Sequence, residues 1–247
     1  MADPLLWAYG LVARPGPTGL QGLEGRPVEA VVCGELAVLA STVTFSVDEL
    51  ERRLEDLDAL ERMARAHDGV LEAAMEHGAV VPFRMCTMYA SPEAIRDMLS
   101  ATGEGFAALL SQLRGKEEWG VKAFALPRPA ESPAERPASG MEYLARRRAQ
   151  LELAEAGSEA LAALAADVHA SLADHASAAV VSRPHDRRLS GRDTEMLLNG
   201  AYLIAREDAE RFAALVDTLR RRHEQDGLTL ELTGPWPPYH FVAEPPA

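Results

Sequence analysis

The order of strand and helix patterns in the second half of the chain constrains its fold more than any other sequence feature. In chain order the patterns are a strand (118–126), a helix (139–175), two strands (178–182 and 197–204), a helix (207–223) and a strand (228–233). Strand–helix–strand–strand–helix–strand is the split βαβ order of ferredoxin-like folds. We therefore predict a C-terminal, ferredoxin-like α+β unit that contains one long helix.

The first of these helical patterns is longer than a compact unit needs. Residues 139–175 are rich in Ala, Leu, Arg and Glu. A continuous helix of that length would extend roughly 55 Å at 1.5 Å per residue. The pattern predicts a helix that either projects from its unit or breaks near Gly157-Ser158.

The first half of the chain is patterned as another α+β unit. Its strand patterns lie at 5–12, 28–33, 36–41 and 80–89, and its helical patterns begin at Ser46 and Ser91. Gly34-Glu35 between two strands is typical of a tight hairpin. Ser46 and Glu49 form a capping box for a helix predicted to continue to about Glu76. The whole chain is therefore predicted to form two α+β lobes.

A change in composition marks an exposed connection within the second half. Residues 127–137 are rich in proline and charge and nearly free of large apolar side chains. We predict an N-terminal domain over 1–117 and a C-terminal domain over 118–247. The second domain would include the connection at 127–137 and an aromatic, proline-rich tail at 234–247.

The charge balance limits the kinds of partner that the protein can bind. Asp and Glu number 38 against 25 Lys and Arg, for a net charge of −13. This balance argues against nucleic acid or an anionic membrane surface as the main partner.

Cys33 and Cys86 stand alone, as expected of reduced thiols. The sequence has neither a signal-peptide pattern nor an apolar run of roughly 20 residues, so we expect a cytoplasmic protein.

No catalytic, cofactor or metal motif emerges from the sequence. Phosphate-binding glycine loops, a nucleophile elbow and the H-E-x-x-H zinc pattern are all missing from it. The seven histidines are scattered at spacings that are poor for sharing a metal. His185-Asp186 lies in an Arg-rich segment at 183–192 that we interpret as a charged hairpin loop. We therefore predict no enzyme activity, no cofactor and no metal.

Two arginine positions are candidates for partner binding. Arg84 interrupts the apolar strand pattern at 80–89. It could lie on the wet face of an edge strand, pair with a carboxylate in the interior, or face a partner. Arg146 and Arg147, followed by Arg148, lie on the long helix. They form either a solvated face or a patch that binds an acidic partner.

The end of the last strand is the most unusual stretch of the chain. Gly234-Pro-Trp-Pro-Pro-Tyr-His-Phe241 contains three prolines and three aromatic residues. Two interpretations stay open: a tail that folds back and packs, or a rigid docking surface. The candidate partner-binding residues here are Trp236, Pro237, Pro238, Tyr239 and Phe241.

Eight short motifs in a fixed order carry a resemblance to a known family. They are Tyr9-Gly10, residues 28–41 with Gly34-Glu35-Leu36-Ala37, Ala64-Arg65-Ala66-His67-Asp68, Val81-Pro82-Phe83-Arg84 with Thr87, Glu118-Trp119-Gly120-Val121-Lys122, Tyr143-Leu144-Ala145-Arg146-Arg147, Asn199-Gly200-Ala201-Tyr202-Leu203, and Gly234-Pro235-Trp236-Pro237-Pro238-Tyr239-x-Phe241. With these motifs the chain resembles the gas vesicle proteins GvpL and GvpF over essentially its whole length. It departs from the family at Met85-Cys86-Thr87, where Phe-Gly-Thr is more common, and at His240, where a small residue is common.

The resemblance implies a function. It implies a non-enzymatic accessory protein that acts in the cytoplasm when gas-filled protein shells are nucleated and extended. It also implies association with the small hydrophobic shell protein GvpA and with other accessory Gvp proteins, and a two-lobed α+β fold.

Two other functions remain open at this point. One is a small-molecule enzyme or sensor that uses a groove between the lobes, with His185, Asp186 and Arg187 at its mouth. The other is a scaffold that gathers accessory proteins through Arg146–Arg148.

Overall fold

The computed structural model describes residues 4–127, 139–183 and 194–242. Their contacts form two compact units, one from the described parts of 1–118 and 235–247, the other from those of 119–234. Each unit combines helices with a β-sheet, which confirms the predicted two-lobed α+β class. The predicted assignment of the tail to the C-terminal domain differs from these contacts. Tyr239 packs against the core of the first unit.

The sheet of the first unit is built around its first strand. The strands are β1 (Leu5–Ala13), β2 (Glu29–Cys33), β3 (Leu36–Val43), β4 (Val80–Pro82) and β5 (Met88–Tyr89). Their order is β2-β3-β1-β4, with β5 also paired to β1. The β2–β3 hairpin turns at Gly34-Glu35 as predicted, with Gly34 at a φ of +60°. All pairings are antiparallel.

Three helices cover this sheet: α1 (Val47–Glu55), α2 (Leu57–Met75) and α3 (Pro92–Leu113). Ser46 caps α1 by accepting a hydrogen bond from the Glu49 amide, but the Glu49 carboxylate binds Arg53 instead of returning to the cap. Asp56 then caps α2, because its carboxylate accepts from the amides of Asp58 and Ala59. The single helix predicted from Ser46 to Glu76 was therefore wrong, since a new N-cap interrupts it.

A turn divides the strand that we predicted at 80–89. β4 pairs with β1 at Gly10–Val12, and β5 pairs with β1 at Leu6 and Trp7. Between them Cys86 adopts a φ of +70°, a left-handed conformation outside the extended region. The prediction of Arg84 within a strand was thus wrong, because Arg84 lies exposed in this turn.

The core of the first unit joins β1 and β3 to α2. Trp7, Tyr9, Leu39 and Leu71 are all fully or almost fully buried. Gly10 allows the close approach of α2 and β4. A Cβ at this position would lie 2.7 Å from Leu71 Cδ2 and 2.8 Å from the Val81 carbonyl oxygen.

The second unit follows the predicted element order. Its elements are most of β6 (Lys116–Ala125), α4 (Gly140–Ala173), β7 (Ala178–Val181), β8 (Met196–Ala205), α5 (Ala209–His223) and most of β9 (Leu228–Trp236). Its sheet has the order β7-β8-β6-β9. The assignment to the ferredoxin-like class stays a prediction.

The long helix α4 is continuous through Gly157-Ser158. Its 34 residues extend about 51 Å at 1.5 Å per residue. Ala165, Val168 and Leu172 in its second half are buried in the core of the second unit with Tyr202 and Phe212. The first half is almost entirely exposed. The helix therefore projects, which was the first of the two predicted outcomes.

Two predicted segments lie outside the described residues. They are most of the connection at 127–137 and the Arg-rich loop with His185, Asp186 and Arg187.

Candidate interaction site at the C-terminal segment

Two consecutive residues of α2 organise the surroundings of the C-terminal segment, residues 235–242. His67 continues the buried face of α2 between Met63 and Val70, and only 1% of it is exposed. Trp7 Nε1–H donates to His67 Nδ1 at 3.0 Å, and His67 Nε2 lies 3.0 Å from the Phe83 carbonyl oxygen. Because Nδ1 accepts, Nε2 carries the proton and donates to Phe83. Burial lowers the pKa of His67, so the ring is held neutral.

The hydrogen bond to Phe83 fixes the turn that carries Arg84. The Phe83 amide donates to the Tyr9 carbonyl at 2.9 Å. Within the turn, the Thr87 amide and hydroxyl both donate to the Arg84 carbonyl, at 3.1 and 2.7 Å. The Arg84 backbone is therefore held on both sides while its side chain is exposed.

Asp68, the next residue of α2, binds the C-terminal segment. The Tyr239 hydroxyl donates to Asp68 Oδ1 at 2.8 Å. The Tyr239 ring packs against the core of the first unit, and Pro237 and Pro238 just before it are buried. Burial, together with the negative charges of Asp68, Glu118 and Glu72, raises the pKa of Tyr239. The phenol is therefore a permanent donor at neutral pH.

A second polar anchor follows at the next residue. The His240 amide donates to Glu118 Oε2 at 3.0 Å, and His240 Nδ1 lies 2.6 Å from Glu118 Oε1. Glu118 is 4% exposed. Burial raises the pKa of Glu118, while the two hydrogen bonds from His240 act in the opposite direction. The segment is thus held at two adjacent residues by the carboxylates of Asp68 and Glu118, which both belong to the first unit.

Trp236 differs from its neighbours because 42% of it is exposed. The two prolines that follow it are buried and restrict the backbone. Phe241 is half-buried. Of the aromatic residues predicted here, Tyr239 is a packing anchor and Trp236 is the one presented to solvent. The packing interpretation therefore applies to Tyr239, and docking through Trp236 stays a prediction.

The predicted arginines are exposed but belong to different units. Arg84 lies in the turn of the first unit, whereas Arg146 and Arg147 lie on α4 of the second. The predicted partner-binding residues therefore do not all lie in one unit.

Within residues 4–127, 139–183 and 194–242, no group of three or more His, Cys, Asp or Glu side chains could hold a metal ion. Over the same residues, no helix combines the length and apolarity that a membrane span needs. His67, Asp68 and Glu118 are each engaged in hydrogen bonds that hold the fold.

Comparison with known proteins decides the family. The sequence model described as gas vesicle synthesis protein GvpL/GvpF matches residues 5–243. The chain belongs to this family. Gas vesicle protein L of Streptomyces sp. (strain CB03234) is 36% identical over 97% of this chain and 93% of its own length. Gas vesicle protein F of the same strain is 29% identical over 96% of this chain and 98% of its own length.

Solved structures share the fold of this GvpL/GvpF family member. The crystal structure of GvpF from Anabaena sp. PCC7120 matches with a TM-score of 0.71 at 19% identity, over 99% of both chains. GvpF from Microcystis aeruginosa matches with a TM-score of 0.68 at 20% identity, over 97% of this chain and 99% of its own. Both comparisons support the two-lobed α+β architecture.

Hydrogen bonds in the first unit join four of the quoted GvpL/GvpF motifs. The motifs containing His67-Asp68, Phe83-Arg84, Glu118 and Tyr239 meet in the hydrogen bonds described above. Sequence analysis missed His67 and Glu118 as organising residues. The position of His67 could have been found, because it falls four residues after Met63 and three before Val70 on an apolar helix face.

Proposed function

We propose that this GvpL/GvpF family member is a non-enzymatic accessory protein of gas vesicle assembly that binds the small hydrophobic shell protein GvpA. It acts in the cytoplasm during nucleation or growth of the vesicle, alone or with other accessory Gvp proteins. Family membership supports the gas vesicle role. The binding of the shell protein is argued from the surface around Trp236.

The observation that carries this proposal is an exposed tryptophan on a fixed segment. Trp236 is 42% exposed, although the residues after it are buried or hydrogen-bonded to Asp68 and Glu118. Tryptophan is enriched at binding hot spots because it buries a large area with few rotatable bonds. A backbone already ordered by prolines and two anchors loses little further entropy on binding.

The chemistry of a shell subunit suits such a surface. A protein that will line a gas-facing wall exposes apolar surface and unpaired strand edges before it assembles, and both promote aggregation. A helper with a rigid aromatic contact covers that surface transiently. One exposed tryptophan followed by two buried prolines provides contact area without a large apolar patch on the helper itself.

A co-expression pull-down with GvpA tests the proposal. We expect the wild-type chain to recover GvpA and Trp236→Ala to recover at least fivefold less at equal expression. Leu57→Ala is the matched control, because Leu57 is also apolar and 78% exposed in the first unit. It should recover as much GvpA as the wild type.

Two results would contradict the proposal. If the wild type neither recovers GvpA nor keeps it soluble, the shell-protein partner is wrong. If the wild type binds GvpA and folded Trp236→Ala binds equally well, Trp236 is not the contact.

A further inference from the structure

The first half of α4 is the largest feature of the fold that the proposed function leaves unused. We call residues 141–160 the helix arm. All of its described side chains are exposed except Gly157, which is partly covered. Five large apolar side chains on it are exposed to solvent: Met141, Tyr143, Leu144, Leu151 and Leu153. This is a helix of about 30 Å without a packed face.

Such an arm needs a partner for physical reasons. An isolated helix of this length is marginally stable in water, because most helical stability comes from packing of an apolar face. Met141, Leu144, Arg148 and Leu151 recur at spacings of three, four and three, which places them on one side of the helix. Met141 is 82%, Leu144 66% and Leu151 51% exposed. These residues form a seam that another helix can cover.

The charge order along the arm specifies which helix fits. Glu142 lies near its start, the basic residues follow at Arg146–Arg148, and three further acidic residues come after them, at Glu152, Glu155 and Glu159. Two identical arms placed antiparallel bring the basic part of each against the acidic part of the other. Parallel arms would bring like charges together, which is unfavourable.

We infer that the helix arm is a self-docking surface, on which the arm of a second copy of this chain lies antiparallel around a two-fold axis near residue 150. An isologous contact of this kind uses the same patch on both copies. Arg148, a member of the seam, also forms an exposed ion pair within its own arm, between its Nε and Glu152 Oε1 at 3.1 Å. This inference goes beyond the proposed function and does not depend on it.

The size of the arm predicts a weak dimer. A pair of helices about 30 Å long buries an area near the lower end of stable interfaces, about 1,200 Å². The contact should therefore depend on protein concentration. It should also weaken in high salt, because exposed charge pairs are screened.

Charge reversal on the full-length chain tests the inference by sedimentation velocity from about 1 to 100 µM. One variant carries Arg146→Glu, Arg147→Glu and Arg148→Glu; the other carries Glu152→Arg, Glu155→Arg and Glu159→Arg. We expect the wild type to dimerise and each variant alone to dimerise at least tenfold more weakly. An equimolar mixture of the two variants should form a heterodimer, because an acidic arm then meets a basic arm.

A matched control separates arm contacts from net charge. Arg52→Glu/Arg62→Glu/Arg65→Glu makes the same change in charge on exposed positions of the first unit. It should dimerise like the wild type. A wild type that stays monomeric at every concentration overturns the inference, and so does a mixture in which folded variants form no heterodimer.

Cross-linking provides a second test that needs no charge reversal. In a background of Cys33→Ser and Cys86→Gly, we introduce Leu151→Cys or Met141→Cys. Residue 151 lies near the proposed axis, so two copies should form a disulfide under mild oxidation. Two copies of residue 141 would be about 27 Å apart along antiparallel helices and should not. Equal cross-linking at both positions would contradict the antiparallel arrangement.

Discussion

The Tyr239 hydroxyl donates a 2.8 Å hydrogen bond to Asp68, which lies 171 residues earlier in the chain. This bond attaches the C-terminal segment to α2 of the first unit. Because Tyr239 also packs on the core, the segment is part of that unit rather than a loose end. It follows that Tyr239 contributes to stability, whereas Trp236, three residues earlier, is exposed to solvent.

Substitutions at Tyr239 separate the hydrogen bond from the ring packing. Tyr239→Phe removes the hydroxyl and should lower the free energy of unfolding by about 1 kcal/mol, since Asp68 is only partly buried. Tyr239→Ala also removes the ring from a half-buried position and should cost about 2–3 kcal/mol. Urea denaturation followed by circular dichroism measures both. Equal losses for the two variants would show that the ring contributes nothing.

Local patterns predicted most of the elements, because each pattern depends on nearby residues. The β2–β3 hairpin, the Ser91 cap of α3 and the element order of the second unit are examples. The interruption of 80–89 was missed for a local reason as well. Cys86 has a left-handed backbone, and the glycine that is more common at this position in the family, which would have indicated it, is replaced here by cysteine.

The candidate site was harder to predict because its contacts are long-range. Nothing near Tyr239 in the sequence indicates Asp68, and nothing near His240 indicates Glu118. An apolar, proline-rich stretch is compatible with both packing and docking. Only the three-dimensional contacts show that Tyr239 packs while Trp236 stays exposed.

The left-handed conformation of Cys86 predicts a stabilising substitution. Non-glycine residues at a φ of +70° are strained by about 1 kcal/mol. Cys86→Gly removes this strain, whereas Cys86→Ala keeps a Cβ and reports only the loss of the thiol packing. We expect the glycine variant to be about 1 kcal/mol more stable than the alanine variant by thermal unfolding. An alanine variant of equal or greater stability would contradict the strain.

Alanine substitutions at two glycines of the first unit should change the free energy of unfolding in opposite directions. At Gly10 an added Cβ would lie 2.7 Å from Leu71 and 2.8 Å from the Val81 carbonyl, so Gly10→Ala must shift β1 away from α2. We expect a loss of about 3 kcal/mol in the free energy of unfolding. A Cβ added at Gly103 in α3 would lie 3.5 Å from Leu36 Cδ1, an ordinary contact distance. Gly103→Ala should therefore gain up to about 1 kcal/mol in helix stability. Denaturant unfolding of the two variants checks both signs.

The buried imidazole of His67 predicts how stability depends on pH. Burial lowers its native pKa below the ordinary value of 6.5. Above pH 6.5 neither the native nor the unfolded state binds this proton. As the pH falls below 6.5, the unfolded state binds the proton while the native state resists it, because a second N–H would face Trp7 Nε1–H. The free energy of unfolding should therefore fall on acidification, by at most about 1.4 kcal/mol per pH unit.

Glu118 changes the free energy of unfolding with pH in the opposite direction, so its effect must be separated from that of His67. Burial raises the native pKa of Glu118 above the ordinary value of 4.5. Its contribution to stability is therefore fully present below pH 4.5 and is lost as the pH rises through the native pKa. His67→Gln removes the titrating ring but leaves Glu118 in place, so the difference between wild type and variant isolates His67. We expect the wild type to be more stable at pH 7.5 and this advantage to shrink between pH 6.5 and 5, as measured by urea denaturation. A constant difference across this range would mean that the native and unfolded states bind the His67 proton with the same pKa, which would contradict the buried neutral ring.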